Sequence, residues 1–206
     1  MENPLFVTGI GTEIGKTIVS AVLCYQNNLD YWKPVQAGDL HDTDTEKVRR
    51  LTGHHHSRFH PERYRFTLAA SPHEAAAAEN VSITLQDFIL PDHLRPLLIE
   101  GAGGLLVPLS EKLLTAELIQ HLNADLILVI RDYLGCINHS LLTLEAIKLR
   151  RLNLKHVIFN GDFNLSSKKL IISRLPENCS WSDLPELTEI NHNSLIKLPK
   201  QLKFKP

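Results

Sequence analysis

Short apolar runs alternate with stretches of helical periodicity along most of the chain. Leu5-Phe6-Val7-Thr8 predicts a buried strand, a glycine-rich turn runs from Gly9 to Gly15, and Lys16 to Gln26 has the length and apolar spacing of a helix. Tyr31 to Val35 predicts a second strand, which its proline ends or places at an edge. Asp42 to Leu51 predicts a helix capped by Asp42 or Thr43. Short helices are expected over Ala75 to Glu79 and from Ser82 to about Leu90, before Pro91. Leu97-Leu98-Ile99 predicts a strand running into a glycine-rich loop from Glu100 to Gly104. Beyond it come a helix over Thr115 to Leu122 and a strand over Asp125 to Ile130. A long helix follows from Asn138 to Arg151, with Leu141, Leu142, Leu144, Ile147 and Leu149 on one broad face. His156 to Phe159 predicts another strand and Leu165 to Arg174 another helix; the polar, proline-containing tail after Pro176 gives no clear pattern.

Strands that alternate with helices, and that read as continuous apolar runs, imply an α/β fold with a mostly parallel sheet covered by helices on both faces. No repeat or linker divides the 206 residues, so residues 1–206 are expected to form a single domain. In such folds ligands bind beyond the carboxyl ends of the strands. The glycine turns after Val7 and Ile99, and the polar stretch after Val35, all fall there.

A hydrophobic content of 43% and a charged content of 22% are ordinary for a globular protein, and a formal net charge of -1 gives no field suited to nucleic acid or an acidic membrane. No apolar run approaches the ~20 residues of a membrane helix. The N-terminus enters a strand at once, without the pattern of a signal peptide. Cys24, Cys136 and Cys179 are odd in number and widely spaced, which fits a reducing compartment rather than a disulfide framework. A cytoplasmic protein is the expectation. His54-His55-His56, with His60, matches no standard zinc spacing and reads as a solvated loop.

The strongest chemical signal is Gly9-Ile10-Gly11-Thr12-Glu13-Ile14-Gly15-Lys16-Thr17, set between a strand and a helix. Glycines let successive N–H groups curl around an anion, and the helix N-terminus adds its positive dipole end. Lys16 can reach the β- and γ-phosphates, and the Thr17 hydroxyl can bind Mg²⁺. Ile10 stands where the strict phosphate-loop pattern has glycine, so this is a variant P-loop, and the fold expected is of the P-loop NTPase type. Asp44 and Glu100 are hard oxygen ligands suited to Mg²⁺, although Asp42 rivals Asp44.

These features, taken in order, resemble the dethiobiotin synthetase family. Its Gly-x-x-Thr-x-x-Gly-Lys-Thr loop is matched by Gly9, Thr12, Gly15, Lys16 and Thr17, and its Lys-Pro-Val strand end by Lys33-Pro34-Val35. Asp44, Ser71-Pro72-His73, Glu100 to Gly104, Leu134 to His139 and Asn160 continue the series over most of the chain. The resemblance implies a homodimer that makes dethiobiotin from 7,8-diaminononanoate, CO₂ and ATP with Mg²⁺, through a phosphorylated carbamate. It implies Lys33 and Thr12 as catalytic residues, and Thr17, Asp44 and Glu100 as metal ligands. Nucleotide contacts fall to Glu13, Ile14, Gly15, Lys16, Thr17, Asp44, Glu100, Gly101, Ala102, Gly103, Asn160, Gly161 and Pro185; the segment Leu175-Pro176-Glu177 is the alternative to that around Pro185. Substrate contacts fall to Ala37 and to Gly135, Cys136, Ile137 and Asn138, the last four holding the carboxylate of the diamine bound in the partner subunit.

Two positions depart from the family pattern. Gly11 stands where aspartate is common, and Ala37 where serine or threonine is common, which removes a hydroxyl contact. A second reading, from another class, is a variant P-loop ATPase working as a nucleotide-driven dimer switch. Such proteins normally carry a further lysine near the start of the loop, where this chain has Gly9-Ile10-Gly11. A third, an amide-forming enzyme of cofactor synthesis, usually needs an added glutaminase domain.

Overall fold

The computed structural model describes residues 3–53 and 57–199. The run His54-His55-His56 therefore lies outside the described residues. The elements, in chain order, are β1 (Leu5–Gly9), α1 (Lys16–Asn27), β2 (Asp30–Trp32), β3 (Val35–Ala37), α2 (Asp44–Thr52), β4 (Phe59–His60) and β5 (Tyr64–Phe66). Next come α3 (Pro72–Ala78), β6 (Leu97–Gly104), β7 (Pro108–Ser110), β8 (Leu113–Leu114), α4 (Thr115–His121) and β9 (Asp125–Arg131). The last are α5 (Cys136–Leu149), β10 (Leu154–Asn160), α6 (Leu165–Ile172), β11 (Ser180–Leu184) and α7 (His192–Ile196).

Seven strands form one parallel sheet in the order β11-β10-β9-β1-β6-β2-β4. Its centre is almost wholly apolar. Phe6, Val7, Leu98, Ile99, Leu126 to Ile130 and Val157 to Phe159 have no measurable exposure, as expected for strands covered on both faces. β1 lies between β6 and β9, so the chain order reverses there, and the turn after Gly9 opens at this switch point.

Three expectations are corrected. The strand expected over Tyr31 to Val35 is two strands in different sheets: β2 ends at Trp32 in the main sheet, and β3 pairs with β5. Pro34 falls at the break, where its missing N–H spares a ladder bond. The helix expected from Ser82 to Leu90 is only a 3₁₀ turn, Leu85–Asp87. Asp87 closes it by accepting from both the amide and the hydroxyl of Thr84, a local bond that competes with helix continuation. The Glu100 to Gly104 loop is strand, with Gly104 beside Gly9 after a bulge. Gly101 has to be glycine there, because a Cβ would fall 2.7 Å from the Phe6 ring.

The tail is more ordered than its composition suggests. Ser180 to Leu184 adds β11 to the sheet edge, and His156 joins the two strands through Ser180 and Ser182 on its two ring nitrogens, at 2.5 and 2.7 Å. Burial holds the His156 pKa down to about 4, so this pairing is made by the neutral ring.

Candidate active site

The phosphate loop is shaped by backbone geometry that few residues accept. Gly15 has φ 88°, and a Cβ there would fall 2.1 Å from Asn160 Nδ2. Glu13 also sits in the left-handed region, with φ 56°. Gly15 caps α1 without a side-chain bond, so the first N–H groups of α1 take no side-chain cap and point at the loop's interior. Asn160, at the end of β10, donates from Nδ2 to the Ile14 carbonyl at 2.7 Å and braces the loop from behind. Lys16 Nζ donates to the Gly11 carbonyl at 3.0 Å. Burial lowers the Lys16 pKa to about 8, against the raising influence of Glu100.

Next to the loop lies a buried charge cluster. Lys33 Nζ donates to Glu100 Oε1 at 3.1 Å and to Asp44 Oδ2. Thr17 Oγ1 donates to the same Glu100 oxygen at 3.0 Å, and the Tyr31 hydroxyl to Glu100 Oε2 at 3.0 Å. Burial alone would lower the Lys33 pKa, but Glu100 and Asp44 outweigh it and the net shift is upward. Burial is the largest single influence on Asp44 and pulls it upward, but the charge and hydrogen bond of Lys33, with Lys47 and Thr17, together outweigh it and leave the carboxyl below its ordinary range. The cluster is thus a charged lysine between two carboxylates. Thr43 caps α2 through the Glu46 amide, which sets Asp44 on the first turn. Its rival Asp42 turns outward to Arg50, with oxygens at 2.9 and 3.2 Å.

Both features open on one cleft of about 810 Å³. Thr12, Glu13, Gly15, Lys16, Thr17, Lys33, Ala37, Asp44, Glu100, Ala102 and Gly103 all line it. Ile14 and Gly101 are buried behind it, against Gly9 and Phe6. Asn160 and Gly161 stand on the far side of the loop, and Leu184 is their neighbour: Asn160 pairs with Leu184 in register and Gly161 N donates to its carbonyl at 2.8 Å. The structure therefore sets Pro185, rather than Pro176, next to Asn160. Gly135, Cys136, Ile137 and Asn138 do not line this chain's cleft. They form the turn into α5, where Leu134 and Asn138 are exposed. A Cβ at Gly11 would meet only the Tyr133 hydroxyl, at 3.9 Å, so the lack of a side chain there is not a steric demand.

Sequence reasoning passed over Tyr31, Gln36 and Lys47. Tyr31 lies two residues before Lys33, and strand alternation carries its hydroxyl to the same carboxylate. Gln36 Oε1 accepts from the Asp44 amide at 3.2 Å and so fixes the start of α2. Lys47, one helical turn after Asp44, lies 3.6 Å from its Oδ1. Among the described residues no group of three His, Cys, Asp or Glu side chains could hold a metal by itself, and no helix is long and apolar enough to cross a membrane.

Comparison with known proteins places this geometry. The family model described as an AAA domain, AAA_26, matches residues 3–197. A protein of Cytophaga hutchinsonii named ATP-dependent dethiobiotin synthetase BioD is 48% identical over 168 residues, 81% of each chain. Proteins of the same name are 42% identical over 197 residues in Rhodopseudomonas palustris strain HaA2 (95% of this chain, 91% of that one) and 43% identical over 190 residues in Agrobacterium fabrum (88% and 87%). Among solved structures, a ParA family ATPase from Chlorobium tepidum superposes with a TM-score of 0.53 at 13% identity, covering 95% of this chain and 90% of the other, which shows a shared fold and nothing more. By its sequence kinship along nearly the whole chain, the protein belongs to the ATP-dependent dethiobiotin synthetase family.

Proposed function

We propose that the chain uses ATP to convert 7,8-diaminononanoate and CO₂ into dethiobiotin, with ADP and phosphate as the other products, as a cytoplasmic homodimer. The observation that carries this reading is the shared cleft: a phosphate loop and a second, buried lysine held between two carboxylates face the same space. The second cation stands at the end of β2 and not at the start of the loop, where a switch ATPase would carry its further lysine.

The reaction joins two anions, a triphosphate and a carbamate, and positioning with charge neutralisation is its main requirement. Lys16 and the N-terminus of α1 hold the β- and γ-phosphates. Lys33 approaches from the end of β2 and takes the carbamate oxygen. Thr12, exposed in the loop between the two, offers its hydroxyl to the transferring group. Thr17, Asp44 and Glu100 fit Mg²⁺: the Thr17 hydroxyl already meets Glu100 Oε1, both carboxylates face the cleft beside the phosphate loop, and a hydroxyl with two carboxylates is a donor set suited to a hard cation. Mg²⁺ held there would neutralise the triphosphate's charge. Ala102 and Gly103 let backbone approach the nucleotide, and Asn160, Gly161 and Pro185 stand where the adenine would extend. Ala37 leaves the diamine without a hydroxyl partner on this wall.

Dimerisation is supported by exposed apolar side chains on and around α5: Leu134 before it is fully exposed, Leu142 and Leu149 along it are 61% and 80% exposed, and Leu165 at the start of α6 is 72% exposed. In the dimer, Gly135 to Asn138 of one chain would receive the carboxylate of the diamine held by its partner, at the N-terminus of α5.

Purified protein given diaminononanoate, bicarbonate, Mg²⁺ and ATP is expected to form dethiobiotin, read by mass. ATP consumption without that product would reject the reading.

A further inference from the structure

Ser71 occupies the cap position of α3, where a serine ordinarily accepts from an amide of the first turn. It makes no such bond. Its Oγ lies 2.9 Å from His73 Nδ1 instead. Ser71 lines the nucleotide cleft, and His73 lines a second cavity of about 700 Å³ on the other side of α3. The two side chains thus connect one cavity to the other. Pro72 between them, and Ala75 and Ala76 on the same helix, are buried and anchor the backbone that carries the pair.

Resting on the reaction proposed above, the chemistry needs a proton acceptor, and the carboxyls that line the cleft are Glu13, Asp39, Asp44 and Glu100. An amine attacks carbon only through its lone pair, and an alkylammonium resembles lysine, with a pKa of about 10.4. Asp44 and Glu100 are tied to Lys33, and Asp39 lies 3.4 Å from Lys47. A carboxyl, near about 4, is in any case a poor acceptor for such a proton, whereas imidazole, near about 6.5, is better matched.

We propose that Ser71 and His73 form a proton relay that takes a proton from a substrate ammonium in the cleft and releases it into the second cavity. The N–H bond of the ammonium breaks and its proton passes to Ser71 Oγ. The Ser71 hydroxyl proton passes in the same event to the lone pair of His73 Nδ1. The amine is left neutral with its electron pair free, and the ring becomes imidazolium. Water in the second cavity, beside Glu111 and Lys112, then takes the proton and resets the neutral ring. Ser71 is the member facing substrate; His73 acts through it.

The test compares His73→Ala, Ser71→Ala and Ser71→Thr with the unaltered protein in dethiobiotin formation. If the unaltered protein makes no dethiobiotin, the functional reading fails; the relay is judged only on a protein that does. His73→Ala and Ser71→Ala are expected to lower kcat about 10²-fold or more, the usual worth of a positioned proton acceptor, with KM for ATP unchanged. Added imidazole is expected to restore His73→Ala and not Ser71→Ala, while Ser71→Thr keeps most of the rate. Unchanged kcat in the alanine variants overturns the relay. So does a loss in His73→Ala that imidazole leaves in place while ATP binding is intact, since that marks a purely structural role.

Discussion

Lys33 stands beside Glu100 because Trp32 and Ile99 are register partners in neighbouring parallel strands, so the next residue of each chain segment emerges at the same level of the sheet edge. The contact, 3.1 Å from Nζ to Oε1, is thereby fixed by backbone pairing rather than by two free side chains. Val7 of β1 is the register partner of Glu100 on the other side, two residues before Gly9, where the phosphate loop starts. Three strand ends therefore place the loop, the acid and the lysine within one cleft.

Lys33→Gln is expected to leave nucleotide binding largely intact and to slow dethiobiotin formation by about 10²–10³, the usual loss when a preorganised charge is removed from a developing anion. The same change leaves Glu100, 1% exposed, without its cation, and breaking a buried pair costs about 3 kcal/mol or more. Denaturant unfolding and product formation read the two effects separately. A variant with full activity removes Lys33 from the mechanism.

The pair also has a pH signature. Lys33 holds the folded Asp44 carboxyl below its ordinary range, so the unfolded chain binds a proton there first as pH falls. The stability from this carboxylate is present above the unfolded value, about 3.9, and is lost as pH drops through the lower folded one. Lys33→Gln is expected to flatten this part of the acid unfolding curve; an identical acid slope in both proteins contradicts the assignment.

Tyr31→Phe keeps the ring, which has no exposure, and deletes only the hydroxyl that donates to Glu100 Oε2. No cavity forms, so the loss is that of one hydrogen bond to a charged group, about 2 kcal/mol. For a chain of this size the midpoint should fall by about 4–8 °C. A melting temperature within about 1 °C of the parent, on the same scale, would mean that the bond contributes nothing.

Lys16 makes nucleotide binding proton-linked. Burial brings its pKa to about 8, below the ordinary lysine value, so near pH 8.5 the free protein holds this amine mostly neutral. A triphosphate favours the charged form, and binding must then take up a proton. Calorimetry in buffers of different ionisation enthalpy is expected to show that uptake near pH 8.5 and little of it near pH 6.5, where Lys16 is already charged. In the folded state without nucleotide the cost of burying the charge is full below pH 8. It is relieved as pH rises toward the unfolded value, so this residue alone makes stability rise with pH. Lys16→Met should abolish the uptake; if it persists there, another group is responsible.

The frame of the fold is plain in the sequence because its strands are continuous apolar runs and its loops are punctuated by glycine. Leu126 to Ile130, a short run rich in Ile and Val, reads as a doubly covered strand and is one. What periodicity cannot carry is pairing between distant residues. The edge strand β11 is polar, with Trp181 44% exposed, and exists through its ladder with β10 and the His156 bonds. The α5 face misled in the other direction, since Leu142 and Leu149 point outward and only Leu144 and Ile147 of the five are buried in this chain. At the site, motifs marked Lys16, Lys33 and Glu100, but the choice of Asp44 over Asp42 rests on the Thr43 cap, and Tyr31 enters through strand register.

The exposed α5 turn gives the last prediction. Leu134 is fully exposed at the start of a 14-residue helix, Gly135 caps it with no side-chain bond, and none of the residues from Gly135 to Asn138 lines this chain's own cleft. In the proposed dimer this helix N-terminus meets the substrate carboxylate of the partner's site. Asn138→Asp puts a negative charge at that point and is expected to raise KM for the diamine at least about tenfold, by repulsion and loss of the dipole's favourable field. Lys16→Ala disables the phosphate loop of the same chain. Each homodimer is then inactive at low substrate, for a different reason. A mixed dimer contains one site with an intact Lys16 and an intact turn from the partner, so mixing the two variants after subunit exchange should recover up to about a quarter of the parent activity, half the dimers carrying one good site. Heterodimers verified by native mass spectrometry that show no recovery would place the turn's action within its own chain or nowhere in catalysis.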